Sequence, residues 1–181
     1  EDTEAAISAG ASCATHLFNA MSPMVGREPG VVGAVINSHV WSGIICDGFH
    51  VDDRMIKLAL RARPEDDLMF LVSDAMATVG GPALFDLYGQ NIHLENGRLI
   101  NAEGHLAGAH VTQAEGVARL VHEIDVSLAQ ALRMAITVPA LVMGQANLAQ
   151  LIGRLVRDVL VLSDDLKVDG TLGQTLSQPS N

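Results

Sequence analysis

Val40-Trp41-Ser42-Gly43-Ile44-Ile45-Cys46-Asp47-Gly48-Phe49-His50 carries the reading of the fold. Residues 40–46 are uncharged, mostly apolar and too few for a buried helix. Such a run suits a strand covered on both faces, as in a parallel sheet. It stops at an Asp-Gly turn, and a histidine stands just beyond. On either side the same grammar repeats. Residues 12–18 form a short apolar run carrying His16, and residues 68–72 form another that ends at Ser73-Asp74. Between them, residues 52–62 place acidic residues first and basic residues last, the order a helix dipole favours. Met55, Leu58 and Ala59 mark a face at helical spacing, and Pro64 closes it. Strand, connection, strand, helix, strand, with each strand apolar throughout, predicts α/β architecture with a parallel sheet. His16, His50 and Asp74 each lie at the C-terminal end of a successive strand, where parallel α/β proteins gather active-site groups.

Working outward, residues 3–10 read as the end of an amphipathic helix stopped by Gly10. Residues 21–30, with two prolines and two glycines, form a loop, and residues 30–36 are small and apolar. An antiparallel insert is expected at about 84–106, where Asn96-Gly97 is a strong hairpin signal. Helices are expected over 114–124 and 128–143, the second kinked or divided by Pro139. Residues 158–162 read as a final strand, and 170–181 as a polar, frayed tail.

Composition narrows the function classes. The net charge of -10 argues against nucleic-acid binding, and no basic cluster or span-length apolar segment points to a membrane. Two isolated cysteines, Cys13 and Cys46, suggest neither a zinc ribbon nor a disulfide framework; both read as reduced and buried. Cytoplasm is the expected compartment. An acidic chain can still bind a small anion if one arginine dominates a pocket. Gly26-Arg27-Glu28-Pro29-Gly30 presents such an arginine in a restricted loop, the alternative being a surface pair with Glu28.

The strand-end trio supplies a chemical logic. One imidazole can ligate a divalent metal, and another can polarise a substrate. A carboxylate can take a proton from water and return it to a leaving amine, which are the needs of amide hydrolysis. His39 and His122 read as surface residues and His93 as a strand-face residue. His105 and His110 flank residues 106–108, where a substrate contact is the less favoured reading. Asp52 and Asp53 read as helix N-terminal residues rather than catalytic acids.

Five segments together resemble the N-acetylglucosamine-6-phosphate deacetylases of the amidohydrolase superfamily. They are Ala14-Thr15-His16-Leu17-Phe18-Asn19-Ala20-Met21, Gly26-Arg27-Glu28-Pro29-Gly30, Asp47-Gly48-Phe49-His50-Val51-Asp52, Val72-Ser73-Asp74-Ala75 and Gly104-His105-Leu106-Ala107-Gly108. The resemblance covers about residues 1–145. It implies the C-terminal part of a (β/α)8 TIM-like barrel over residues 1–153. Residues 154–181 would then give a strand of a small β-sandwich domain and a tail. It further implies hydrolysis of the acetamide of N-acetylglucosamine 6-phosphate, a divalent metal (zinc or iron) and a homodimer. His16 would be a metal ligand, with two more ligands, a Glu and a His, on strands preceding residue 1. Asp74 would be general base and then general acid. Asn19, Ala20 and Arg27 would meet the phosphate side of the substrate. Asp47, Gly48, Phe49, His50, Leu106, Ala107 and Gly108 would line the sugar pocket, with His50 helping to polarise the acetyl carbonyl. Two alternatives remain: an inactive fragment lacking the rest of the metal site, and a related amidohydrolase for another N-acetylated substrate.

Overall fold

The structure is a computed structural model that describes residues 1–177. Its centre is a three-stranded parallel sheet of β1 (Cys13–Ala14), β2 (Trp41–Ile45) and β3 (Met69–Val72), side by side in chain order. Parallel neighbours need a crossover. Helix α2 (Gly30–Ile36) lies between β1 and β2, and α3 (Asp53–Ala62) between β2 and β3. The register sets Ala14 opposite Ser42, and Ser42 opposite Met69.

Alternation along the strands sorts their side chains. Ile44, Cys46, Met69 and Leu71 join Ile56 and Ala59 of α3, Val32 and Val35 of α2, and Leu120 in the main core. On the opposite face Ile45 and Val72 meet Ala109 and Val111. The expectation that every strand is covered on both faces holds for Ser42–Ile45 but not for β3, where Phe70 and Val72 are only half-buried.

Helix α1 (Asp2–Ser8) precedes the sheet, and the chain turns out of it at Gly10, φ 108°. Asp52 caps α3 by accepting from the Arg54 amide at 2.9 Å. The side chain of Arg54 also bonds Asp52 and holds its carboxyl down at about 2. Beyond the sheet, β4 (Leu84–Leu87), β5 (Gln90–Glu95) and β6 (Arg98–Ile100) form an antiparallel sheet. Asn96 and Gly97 turn between β5 and β6 at φ 49° and 80°, the signs a type I′ turn requires. Helix α4 (Gln113–His122) opens on a capping box of Thr112 and Glu115. Gln113 Nε2 donates to the Leu71 carbonyl at 2.8 Å, tying that helix start to β3. Then come α5 (Leu128–Leu132), a π-helical turn (Arg133–Thr137) and α6 (Val138–Val142). Pro139 has no amide to offer the preceding turn, which is consistent with the widened π turn just before it. A two-stranded antiparallel sheet, β7 (Leu160–Leu162) and β8 (Val168–Thr171), and a short helix, α7 (Leu172–Leu176), complete the described residues.

Several expectations are corrected. The strand read over 12–18 is confined to Cys13–Ala14, because the chain turns at Thr15 and takes positive φ at His16 and Phe18. Cys13 is exposed, while Cys46 is buried. Burial pushes the Cys46 thiol up to about 12, against the pull of Arg119. On α3 the inward residues are Ile56 and Ala59, while Met55 and Leu58 are exposed. The apolar run 158–162 begins with a 3-10 turn (Val156–Asp158), and its strand is not the last. The tail folds as far as Ser177: Thr171 and Gln174 form a capping box at the start of α7. Residues 178–181 of that tail lie outside the described residues.

Candidate active site

The residues that follow the three parallel strands share one rim of the sheet. Parallel strands point the same way, so residues after each C-terminal end emerge on the same side. His16 lies two residues past β1, Asp74 two past β3, and the turn 47–50 just past β2. The turn after β1 is fastened to β2, with the Leu17 amide donating to the Gly43 carbonyl at 2.7 Å.

The turn 47–50 is closed by its own side-chain hydrogen bonds. One oxygen of Asp47 accepts from the amides of Phe49 (2.8 Å) and His50 (2.9 Å). The other oxygen meets His50 Nδ1 at 2.6 Å. Both side chains are nearly enclosed, His50 at 8% and Asp47 at 6% exposure. Burial alone would raise the Asp47 carboxyl, but hydrogen bonds from the His50 ring and from the His50 and Phe49 amides bring it below its ordinary value. A carboxylate can only accept, so this bond puts a proton on Nδ1 and leaves Nε2 outside the turn's own bonding. Asp47, expected to line the sugar pocket, thus has both oxygens engaged inside its own turn. A carboxylate so engaged orients a neighbour more readily than it binds a sugar.

Asp74 is exposed and takes φ 50°. Its carbonyl accepts from the Ala109 amide at 3.0 Å, and the Met76 amide donates to the Ala109 carbonyl at 3.0 Å. These bonds form an isolated parallel bridge between Ala75 and Ala109, which draws residues 106–108 alongside Asp74. Gly108 is required there, since a Cβ would run into the Met76 side chain. Thr78, buried after Asp74, bonds His110 Nδ1 at 2.9 Å and ties the same two segments together. His110 therefore bonds protein.

His16 takes φ 26°, and its Nδ1 is buried without a hydrogen-bond partner. A buried imidazole nitrogen left unpaired is costly and calls for an explanation such as an ion or water. His16 could give a metal one donor. Among the described residues, however, no three His, Cys, Asp or Glu side chains are grouped closely enough to hold a metal ion. The described residues therefore do not by themselves make a complete metal site.

Asn19 is folded into the turn after β1. Its amide nitrogen lies 3.4 Å from the carbonyls of both His16 and Leu17, and Ala20 is exposed beside it at φ 52°. Arg27 is exposed near the tip of a tight turn closed by paired bonds between Val25 and Glu28 at 2.9 and 3.1 Å. No hydrogen bond among the described residues joins Arg27, His16, His50 and Asp74 to one another. They share a rim, not a bonded cluster. The antiparallel sheet reaches this rim. The Arg98 guanidinium stands 4.9 Å over the Phe49 ring, and a Cβ on Gly97 would lie 3.2 Å from the same ring.

Two features of the rim were missed in the sequence. One is the Arg98 contact. The other is Arg119, which pairs with Asp53 beneath Gly48. Arg119 and Asp53 are 66 positions apart, so no local spacing could have paired them.

Parallel strands joined by crossover helices, with polar residues gathered at the C-terminal rim, define an α/β protein. No family model matches the chain. It is 38% identical over 148 residues to the N-acetylglucosamine-6-phosphate deacetylase of Haemophilus influenzae, covering 80% of this chain and 38% of that protein. It is 32% identical over 131 residues to an Escherichia coli K12 protein provisionally named as an N-acetylgalactosamine-6-phosphate deacetylase, covering 71% of this chain and 77% of that one. The crystal structure of N-acetylglucosamine-6-phosphate deacetylase from Pasteurella multocida is similar over 93% of this chain and 45% of its own, with TM-score 0.85 and 36% identity. The chain belongs to the family of N-acetylglucosamine-6-phosphate and N-acetylgalactosamine-6-phosphate deacetylases. It spans well under half the length of the Haemophilus relative.

Proposed function

We propose that the protein hydrolyses the acetamide of N-acetylglucosamine 6-phosphate, giving glucosamine 6-phosphate and acetate. The observation that carries this reading is the common rim: His16, the His50–Asp47 pair and Asp74 leave successive parallel strands on one side of the sheet. Family membership supplies the substrate class.

In this reading Asp74 takes a proton from the attacking water as the water's oxygen closes on the acetyl carbon. It then returns that proton to the amine nitrogen as the C–N bond breaks, since an unprotonated amine leaves poorly. His50 Nε2, aimed by the Asp47 bond, contacts the sugar and the acetyl carbonyl. Arg27, with Asn19 and Ala20, meets the phosphate, where a guanidinium can make two parallel hydrogen bonds. Gly48, Phe49, Leu106, Ala107 and Gly108 shape the sugar pocket, and Asp47 holds His50. His16 gives one donor to a divalent metal, zinc or iron; among the described residues no further donors are grouped with it.

The same reading places residues 1–153 in the second half of a (β/α)8 barrel with the antiparallel insert beside its mouth. Residues 154–181 then belong to a small β domain. A cytoplasmic homodimer is the expected setting. A lone metal donor also favours a second reading, in which the 181 residues turn over substrate only when other residues complete the metal site.

The test is acetate release from N-acetylglucosamine 6-phosphate with added Zn²⁺ or Fe²⁺, comparing the parent with Asp74→Asn. The variant should still bind the sugar phosphate by calorimetry and lose roughly 10²- to 10⁴-fold in turnover. Unchanged turnover would end the assignment of Asp74. Binding with no turnover by the parent chain would support the second reading.

A further inference from the structure

The turn that holds His50 rests on a guanidinium. Arg119 of α4 reaches across to the first turn of α3, where its Nε and Nη2 donate to the two carboxylate oxygens of Asp53 at 3.0 and 2.6 Å. Such a two-point bond fixes the plane of the guanidinium as well as its position. Both partners are about one-third exposed, 32% and 29%. The plane lies where a side chain on residue 48 would go, since a Cβ on Gly48 would fall 2.5 Å from Arg119 Cζ. Gly48 also takes φ 80°, which an L side chain adopts only under strain. Three elements therefore meet at one spot: the turn 47–50, the start of α3 and the body of α4.

The contact has direct neighbours of consequence. Asp47 precedes Gly48, and its two oxygens hold the Phe49 and His50 amides and the His50 ring. The guanidinium meets the turn through the space it fills against Gly48. If it withdraws, the Gly48 peptides gain room, the Asp47 carboxylate can rotate, and the 2.6 Å bond to Nδ1 is no longer enforced.

We propose that Arg119 is a positioning residue. Held flat by Asp53, it braces the Gly48 turn and, through Asp47, keeps His50 in the Nδ1–H form with Nε2 turned to the site. The functional meaning rests on the proposed role of His50 as a substrate contact, while the physical coupling does not.

The test is Arg119→Met and Arg119→Lys in the full chain, read by long-range ¹H–¹⁵N spectra of the histidine rings. Arg119→Met should cost His50 about a tenfold loss of preference for the Nδ1–H form. Arg119→Lys should fall between Met and the parent, because it keeps the ion pair but not the plane. His93 and His105, away from α4, should not change. If Arg119→Met does not fold, Asp53→Asn answers the same question by loosening the guanidinium while leaving it in place. An unchanged His50 tautomer in folded Arg119→Met, or in Asp53→Asn where that variant is needed, overturns the proposal whatever happens to the unfolding midpoint. In a preparation that hydrolyses the sugar phosphate, Arg119→Met should also lower kcat/KM. A preparation that neither binds nor hydrolyses the sugar phosphate but shows the expected tautomer change would defeat the deacetylase reading and leave the role of Arg119 standing.

Discussion

Strands β2 and β7 both grow from continuous apolar runs, yet they end in opposite surroundings. In β2 every residue from Ser42 to Ile45 is buried, with a parallel partner on each side and helices α2 and α3 against one face. In β7 Leu160 is 61% exposed, its one partner is β8, and the register slips between Val161 and Leu162. An apolar groove of about 580 Å³, lined in part by Val117, Leu132, Leu148, Leu151 and Leu160, runs beside β7. Apolarity nominates a strand, but the number of neighbours decides whether its side chains leave water. Both strands run into hydrogen-bonded turns, at Asp47–His50 after β2 and at Ser163–Lys167 after β7, so the contrast lies in burial.

This contrast can be broken by measurement. The largest effect is expected at Ile44, which is wholly buried in the main core. Ile44→Ala should cost about 2–5 kcal/mol in urea unfolding through lost burial and the cavity left behind. A smaller effect, confined to acid, is expected at the rim of β2. The folded-state Asp47 carboxyl lies below its unfolded value. Its contribution is therefore present above the ordinary carboxylate value, about pH 4, and is lost as pH falls through the folded value. Urea midpoints across that window should fall less steeply in Asp47→Asn than in the parent. The smallest effect is expected at Leu160, where Leu160→Ala should cost less than about 1 kcal/mol because much of the side chain already faces water. If it cost as much as Ile44→Ala, the face around β7 would be covered in solution and the contrast would dissolve.

Much of the parallel sheet was legible because its signals are local. Uncharged runs of strand length, charge order on α3 and the Asn96-Gly97 turn each depend on adjacent residues. The placement of His16, His50 and Asp74 at the C-terminal ends of successive strands followed from the same reading. What escaped depended on backbone geometry or distant partners. The run at 12–18 looked like a strand because its apolarity continues past Ala14, whereas the left-handed turns at His16 and Phe18 leave no mark in composition. The Asp47 oxygens looked available to a sugar because an acidic residue at a strand end does not reveal how many amides it already accepts. Thr112-Gln113-Ala114-Glu115 and Thr171-Leu172-Gly173-Gln174 carried readable capping patterns, and the second would have replaced a frayed tail with α7. The pairing of Arg119 with Asp53 had no local signature at all.

His16 and Asp74 both adopt a left-handed backbone that glycine would take at no steric cost. Selection for folding alone would let these positions drift toward glycine, and the sheet would gain a little from the exchange. An imidazole and a carboxylate kept there instead are a standing charge against stability. The rim of this sheet is thus where the chain's interest in holding together and its interest in doing chemistry pull in different directions.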